Sequence, residues 1–307
     1  MNFVIYGGGS LGLLFGYYLS KKHNVSVIAK KNRVSAIKNN GLIFRKDGFE
    51  DKIELKIYSN AKDINVKPDV VVFAVKSFDV DNSLKDIKNH YANTPIVTLQ
   101  NGIYTEDALL TVFDKHYIYP SAVLIGSKII DDNTIFQFMD NGMKLGCLDK
   151  ASKETLKELA DIFNDIGIKT TISDNIMKDK WHKFMFYCAA ATINSLTGTR
   201  NLEDENLRWV TSAVLDEIVN VSQNLDLDFD IVELRNDVFD FIMNFKPKSW
   251  SASVGEDLRK GKKTEIDYLN GYVVKLANRF NVDVPFNKLL VSFVKTIEKT
   301  GYFKNEK

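Results

Sequence analysis

Short continuous apolar runs punctuate the first hundred residues. "NFVIY" (2–6), "NVSVIA" (24–29), "DVVVFAV" (69–75) and "PIVTL" (95–99) suit strands buried on both faces. Helical or loop segments separate them, which gives the β-α-β rhythm of a parallel sheet. From about residue 118 the rhythm changes, and "YIYPSAVLIG", "TIFQFM" and "MKLGCL" predict shorter strands joined by turns. A helix follows, with Leu156, Leu159, Ala160, Phe163 and Ile166 on one face and Gly167 at its end. "IKTTI" (168–172) predicts one last strand.

After Ser173 and Asp174, both good N-cap residues, the pattern is almost purely helical. "NLRWVTSAVLDEIVNVSQNL" (206–225) and "KTEIDYLNGYVVKLANRF" (263–280) are amphipathic. An α/β domain over 1–172 followed by an all-helical domain over 173–307 is the predicted organisation, and 307 residues suffice for two cores. The apolar helical faces allow a homodimer as well as a monomer.

Composition narrows the function classes. Forty-one basic against forty acidic residues give a formal charge of +1, so bulk electrostatics drive neither nucleic-acid nor membrane-surface binding. Any bound anion must meet a local site. The two cysteines, Cys147 and Cys188, have neither metal-ligand spacing nor a disulfide framework, and no metal site is predicted. No apolar run reaches the length of a membrane span and the N-terminus shows no cleavable signal pattern, which makes the cytoplasm the expected location.

Residues 7–12 read Gly-Gly-Gly-Ser-Leu-Gly, directly after a predicted strand and at the head of the helical run "LGLLFGYYLSKK". In that context the G-x-G-x-x-G spacing of Gly7, Gly9 and Gly12 makes a tight turn and lets a pyrophosphate approach the backbone. The helix start adds free N–H groups and a positive dipole end, so Gly7, Gly8, Gly9, Ser10, Leu11 and Gly12 are the predicted phosphate-binding residues. A plain structural turn is the competing reading. NAD sites carry an acid near the end of the second strand. Here none occurs between Gly12 and Asp47, and the strand runs instead into Lys30, Lys31 and Arg33. Cations there suit a 2′-phosphate, so NADP(H) is the predicted cofactor, against a merely solvated basic turn.

Lys183 is the awkward residue of "KDKWHKFMFYCAAATINSLTG" (178–198), since an ammonium in an apolar helix is costly unless paired, wet or chemically employed. Elsewhere "FAVKSFD" places Lys76 past one predicted strand, "LQNGI" places Asn101 and Gly102 past the next, and "KGKKTEIDYLNGY" carries Glu265. With "GGGSLG", "VIAKKNR" and "KWHKF" in the same order and approximate spacing, the chain resembles the ketopantoate reductase (2-dehydropantoate 2-reductase) family nearly end to end.

The resemblance implies a Rossmann-type dinucleotide-binding domain followed by a 6-phosphogluconate dehydrogenase C-terminal-like helical domain, with the active site in the cleft between them. It implies NADPH-dependent reduction of 2-dehydropantoate to pantoate, a step toward pantothenate and coenzyme A. On that pattern Lys183 falls on the catalytic lysine and Glu265 on the glutamate that contacts the substrate hydroxyl. Asn101 falls on the substrate-contacting asparagine, Ser253 on the serine ahead of "TEID", and Lys76 on a lysine lining cofactor and substrate. Lys30 stands where the family usually has arginine, and Lys76, Asn101 and Glu265 are expected at the cofactor as well.

The chemistry agrees with these roles, because reducing a keto carbon leaves negative charge on oxygen that an ammonium stabilises and protonates. The substrate carboxylate needs donors such as Asn101, Ser253 or Lys76. Each residue also has a plain structural reading: Lys183 snorkelling to water, Glu265 near a helix start, Asn101-Gly102 as a turn. Ser253 is one of three serines, with Ser249 and Ser251, in "SWSAS".

The pattern breaks at one place. Classical members carry asparagines four and eight residues after the lysine, and here those positions are Tyr187 and Ala191. Spacings of four would set both over Lys183, where a phenol and a methyl replace two amides in the substrate pocket. Reduction of another 2-keto acid is therefore one alternative. A related β-hydroxyacid or opine-type dehydrogenase is a second. A non-catalytic NADPH-binding regulator is a third, disfavoured by retention of both Lys183 and Glu265.

Overall fold

The apolar runs become adjacent parallel strands. In the computed structural model, which describes residues 1–199, 203–244 and 252–304, β1 (Asn2–Tyr6), β2 (Asn24–Ile28), β6 (Val70–Phe73) and β7 (Ile96–Thr98) lie side by side. The remaining strands are β3 (Leu42–Lys46), β4 (Phe49–Ile53), β5 (Lys56–Tyr58), β8 (Ile118–Ile129), β9 (Thr134–Leu145) and β10 (Thr170–Ile172). The sheet order is β4-β3-β9-β8-β7-β6-β1-β2-β5, with β10 paired to β9. Helices α1 (Ser10–Ser20), α2 (Lys31–Asn40), α3 (Val80–Tyr91), α4 (Tyr104–Leu110) and α5 (Lys153–Asp165) connect the strands.

Alternation along the central strands builds two cores. Phe3, Ile5, Val70 and Val72 join one with α1 and α5, while Val4, Val71 and Phe73 join the other with α3 and α4. Burial on both faces is what the unbroken apolar runs require. Helix α5 buries Leu156, Leu159, Ala160 and Phe163 as its periodicity demands, Ile166 is buried at its C-cap, and Gly167 follows at φ +89°.

Several elements differ from the sequence expectation. The stretch 42–53, taken as connection, is a β3–β4 hairpin turned by Asp47 and Gly48 at φ +48° and +81°. "TIFQFM" and "MKLGCL" are not separate strands, since β9 runs through Asn141-Gly142 as a bulge opposite β8. The cap ahead of the helical run is Asn175, whose Oδ1 accepts from Lys178 N–H at 3.1 Å, rather than Ser173 or Asp174. Ser173 instead accepts from Asn175 N–H at 3.2 Å.

The chain divides into two compact units, Met1–Lys180 and Trp181–Lys307, the division falling within α6 (Ile176–Phe186). The second unit is helical among its described residues: α7 (Thr192–Thr197), α8 (Glu205–Gln223), α9 (Ile231–Asn244), α10 (Ser253–Arg259), α11 (Asn270–Phe280) and α12 (Pro285–Thr300). The predicted helix over 263–280 is broken, because a short 3₁₀ turn at Ile266–Tyr268 precedes α11. Among the described residues no helix is long and apolar enough to cross a membrane.

A buried polar relay organises this unit. The Glu217 carboxylate accepts from Phe286 N–H at 2.8 Å and Asn287 N–H at 2.9 Å, so it satisfies two of the free donors at the start of α12. It also accepts from Asn287 Nδ2 at 2.7 Å, and Asn287 Oδ1 accepts from Asn270 Nδ2 at 2.9 Å. Glu217→Ala should lower unfolding stability by about 2–3 kcal/mol, since hydrogen bonds to a buried charge are lost and their donors stranded. Glu217→Gln should lose less. A denaturant midpoint unchanged in Glu217→Ala would contradict the assignment.

Candidate active site

Local sterics fix the glycine loop. A Cβ on Gly12 would meet the Gly7 carbonyl oxygen at 1.9 Å, so only glycine lets α1 start this close to the end of β1. Gly7 adds a φ of +120° with the Ala74 backbone 2.6 Å from any Cβ. Gly9 differs: its φ of −79° suits any residue, and the nearest atom to a Cβ there is 3.9 Å away. Protein packing does not demand glycine at this position, and the space suits close approach of a ligand to the backbone. The first-turn N–H groups of α1 have no intrahelical acceptor by the geometry of any helix start, and no acidic side chain occupies that turn. Gly7, Gly8, Gly9, Ser10, Leu11 and Gly12 thus form a cradle that fits a dinucleotide pyrophosphate.

Three further predicted residues of this unit follow carboxyl ends of neighbouring parallel strands. Lys30 lies two residues beyond β2, Lys76 three beyond β6 and Asn101 three beyond β7. Strand order reverses between β1 and β6, the switch point where open α/β sheets bind ligands. Lys30 is the exposed N-cap of α2 and Lys31 its exposed first residue. Arg33 is directed elsewhere. Its guanidinium donates to the Asp132 carbonyl at 3.3 Å and lies 3.8 Å from the Asp132 carboxylate, and burial lowers its pKa. Of the three cations after β2, two remain exposed for an incoming anion.

Beneath the Asn101 turn lies a buried ion pair that sequence reasoning missed. The Lys180 ammonium is 2.9 Å from Glu106 Oε1, with side chains 2% and 1% exposed. Lys180 also donates to the carbonyls of Gln100 and Ser121, both at 3.4 Å, and Thr98 Oγ1 donates to Glu106 Oε1 at 2.5 Å. The only signal was a second lysine three residues ahead of Lys183.

In the helical unit, Trp181, Phe184 and Met185 are essentially fully buried, whereas Lys183 and Tyr187 are half-buried. The Lys183 ammonium sits 5.4 Å from the Tyr187 ring centroid, an i,i+4 cation–π contact. Lys183 is therefore not a core ammonium. Beyond it the helix changes winding: Tyr187–Ala191 forms a π turn before α7 resumes. Thr192 Oγ1 donates to Tyr187 O at 3.3 Å and Asn270 Nδ2 to Cys188 O at 2.9 Å, satisfying carbonyls in the wider turn. The four-residue spacing relates Tyr187 to Lys183, and Ala191 closes the wider turn. Ala191 itself is 1% exposed. Ser253 is the half-buried first residue of α10, Glu265 is 9% exposed just ahead of the 3₁₀ turn, and Ser249 and Ser251 lie outside the described residues.

Comparison with known proteins gives this arrangement a family. Residues 3–150 match the model described as ketopantoate reductase PanE/ApbA, and residues 175–298 match its C-terminal counterpart. The chain belongs to the ketopantoate reductase family. It is accordingly an oxidoreductase that interconverts a C=O and a CH–OH group. A 2-dehydropantoate 2-reductase of Pyrococcus abyssi is 27% identical over 300 residues, covering 96% of this chain and 97% of the relative. Among solved structures, D-mandelate dehydrogenase with NADH and anilino(oxo)acetate superposes with a TM-score of 0.92 at 22% identity, covering 98% of this chain and 100% of that one. The PanE/ApbA family ketopantoate reductase of Ralstonia eutropha gives 0.88 at 24% identity, covering 98% and 100%. At these identities the likeness to the solved structures establishes the shared fold.

The glycine loop yields a paired test. Gly9→Ala should fold and melt like the parent chain while binding of a nicotinamide dinucleotide weakens at least tenfold, about 1.4 kcal/mol. Gly12→Ala should instead be destabilised. A Gly9→Ala protein that binds the dinucleotide normally would contradict the cradle.

Proposed function

We propose that the chain reduces 2-dehydropantoate to pantoate with NADPH, a step toward pantothenate and coenzyme A, with Lys183 as general acid. The observation that carries this reading is the half-buried Lys183 on a helix whose Trp181, Phe184 and Met185 are buried. There the ammonium lies against the Tyr187 ring, whose face attracts a cation. Lys183 then protonates the keto oxygen as negative charge develops there.

Other groups have binding duties. Asn101, Lys76 and Ser253 are suited to the substrate carboxylate, and Glu265 to accepting from the substrate hydroxyl. The loop Gly7–Gly12 would hold the pyrophosphate, with Asn101, Lys76 and Glu265 near the nicotinamide end. A bound nicotinamide supplies the hydride. Lys30 and Lys31, exposed at the start of α2 with no acid in its first turn, favour a 2′-phosphate and hence NADPH.

A second reading rests on Tyr187 and Ala191. A phenol and a methyl in place of two amides favour a 2-keto acid with an apolar side chain over one bearing a hydroxyl. The α12 side chains of Leu289 and Phe293, 48% and 52% exposed and one turn apart, together with exposed Trp209 packed on Phe286, offer an apolar surface for a homodimer.

Lys183→Ala should cut kcat by roughly 10²–10⁴-fold while leaving NADPH affinity nearly unchanged. Turnover equal to the parent would remove the catalytic assignment. Lys30→Glu should raise KM for NADPH by roughly tenfold or more and leave that for NADH nearly unchanged. An equal loss for both cofactors would sink the 2′-phosphate assignment.

A further inference from the structure

We propose that Lys180 and Glu106 are a positioning pair, held at the base of the Asn101 turn so that the turn keeps one geometry during catalysis. The proposal rests on the reading of Asn101 as a substrate-binding residue. Lys180 and Glu106 neither face solvent nor belong to the expected catalytic set.

The pair ties together segments that the backbone alone leaves separate. β7 ends at Thr98, and the chain then turns through Leu99–Ile103, with Gly102 at φ +86°, before α4 begins at Tyr104. Leu99 N–H donates to Phe73 O at 3.0 Å and Ser121 Oγ to Thr98 O at 2.5 Å, both before Gln100. From there Glu106 and Lys180 span the turn with their side chains. Glu106, in the first turn of α4, reaches back to accept from Thr98 Oγ1, closing an eight-residue loop. The Lys180 ammonium then bridges Glu106, the Gln100 carbonyl and the Ser121 carbonyl. One cation therefore fixes β8, the first turn of α4 and the residue immediately before Asn101.

This construction is poorly suited to stability alone. A buried ion pair costs much of its attraction in desolvation, and apolar residues of similar volume often serve the fold as well or better. The surroundings add further cost, since Gln100 Nε2 and Oε1, Glu106 Oε2 and Thr105 Oγ1 are buried without a protein partner. A hydrogen-bonded charge does supply a definite geometry, which apolar packing enforces less strictly. Lys180 is also the last residue of the first unit, on the same helix and one turn before Lys183.

The test removes the pair without leaving a lone charge. Lys180→Met/Glu106→Leu should fold and melt close to the parent, bind NADPH with unchanged Kd, and show KM for the 2-keto acid raised roughly tenfold with kcat lowered up to a hundredfold. Lys180→Met alone should melt earlier than the double variant, since it strands Glu106. Thr98→Val keeps the ion pair and removes one bond to Glu106; it should raise KM for the 2-keto acid by a few-fold and leave NADPH Kd unchanged. This variant decides the matter if the double variant does not fold. A folded double variant, or in its absence Thr98→Val, with the parent's kcat and KM would overturn the proposal. Asn101→Ala, measured alongside, separates the two claims. If it also leaves KM unchanged, the substrate role of Asn101 fails; if it raises KM while the pair's removal does not, the pair is structural only.

Discussion

Four parallel strands ending on one edge impose the constraint from which the first unit follows. Buried on both faces, β1, β2, β6 and β7 have no polar side to give up to a ligand, so recognition must occur beyond their carboxyl ends. Each end is followed by a segment with distinctive chemistry: a glycine loop, a pair of exposed lysines, Lys76 and Asn101. The glycine loop is the tightest of these. Gly7 and Gly12 are required by the protein's own packing, whereas Gly9 stands in open space that leaves room for a ligand's approach.

On the proposed reading, Lys183 and the positions that would shape substrate choice lie on different parts of one continuous helical stretch. Lys183 sits on the α-helical part, where regular winding and a buried neighbouring face hold it in place. Tyr187 and Ala191, proposed to shape the substrate pocket, bound the stretch where the winding opens into a π turn, supported by Thr192 and Asn270. A π turn is costly, and such turns occur frequently at functional sites.

Much of the fold was legible because unbroken apolar runs and helical periodicity are local signals. The glycine loop was legible because its spacing sat between a strand and a helix. Failures came where local cues had two meanings. Asp47-Gly48 was a hairpin signal left inside a presumed connection, and Asn141-Gly142 was a bulge that read as a turn. Arg33 looked like a phosphate donor until Asp132, a hundred residues on, was seen to occupy it. The Lys180–Glu106 pair and the π turn depend on tertiary partners, Glu106 for the first and Asn270 for the second, and no spacing announces either.

The central claim concerns the substrate. Its most direct measurement is the ratio of kcat/KM, with NADPH, for 2-dehydropantoate against a 2-keto acid of similar size whose side chain is wholly apolar. A ketopantoate reductase gives a ratio well above one, because a site built around the substrate hydroxyl loses hydrogen bonds to an analogue lacking it. A ratio below one would contradict the assignment and place the specificity of this chain with the apolar substituents at Tyr187 and Ala191.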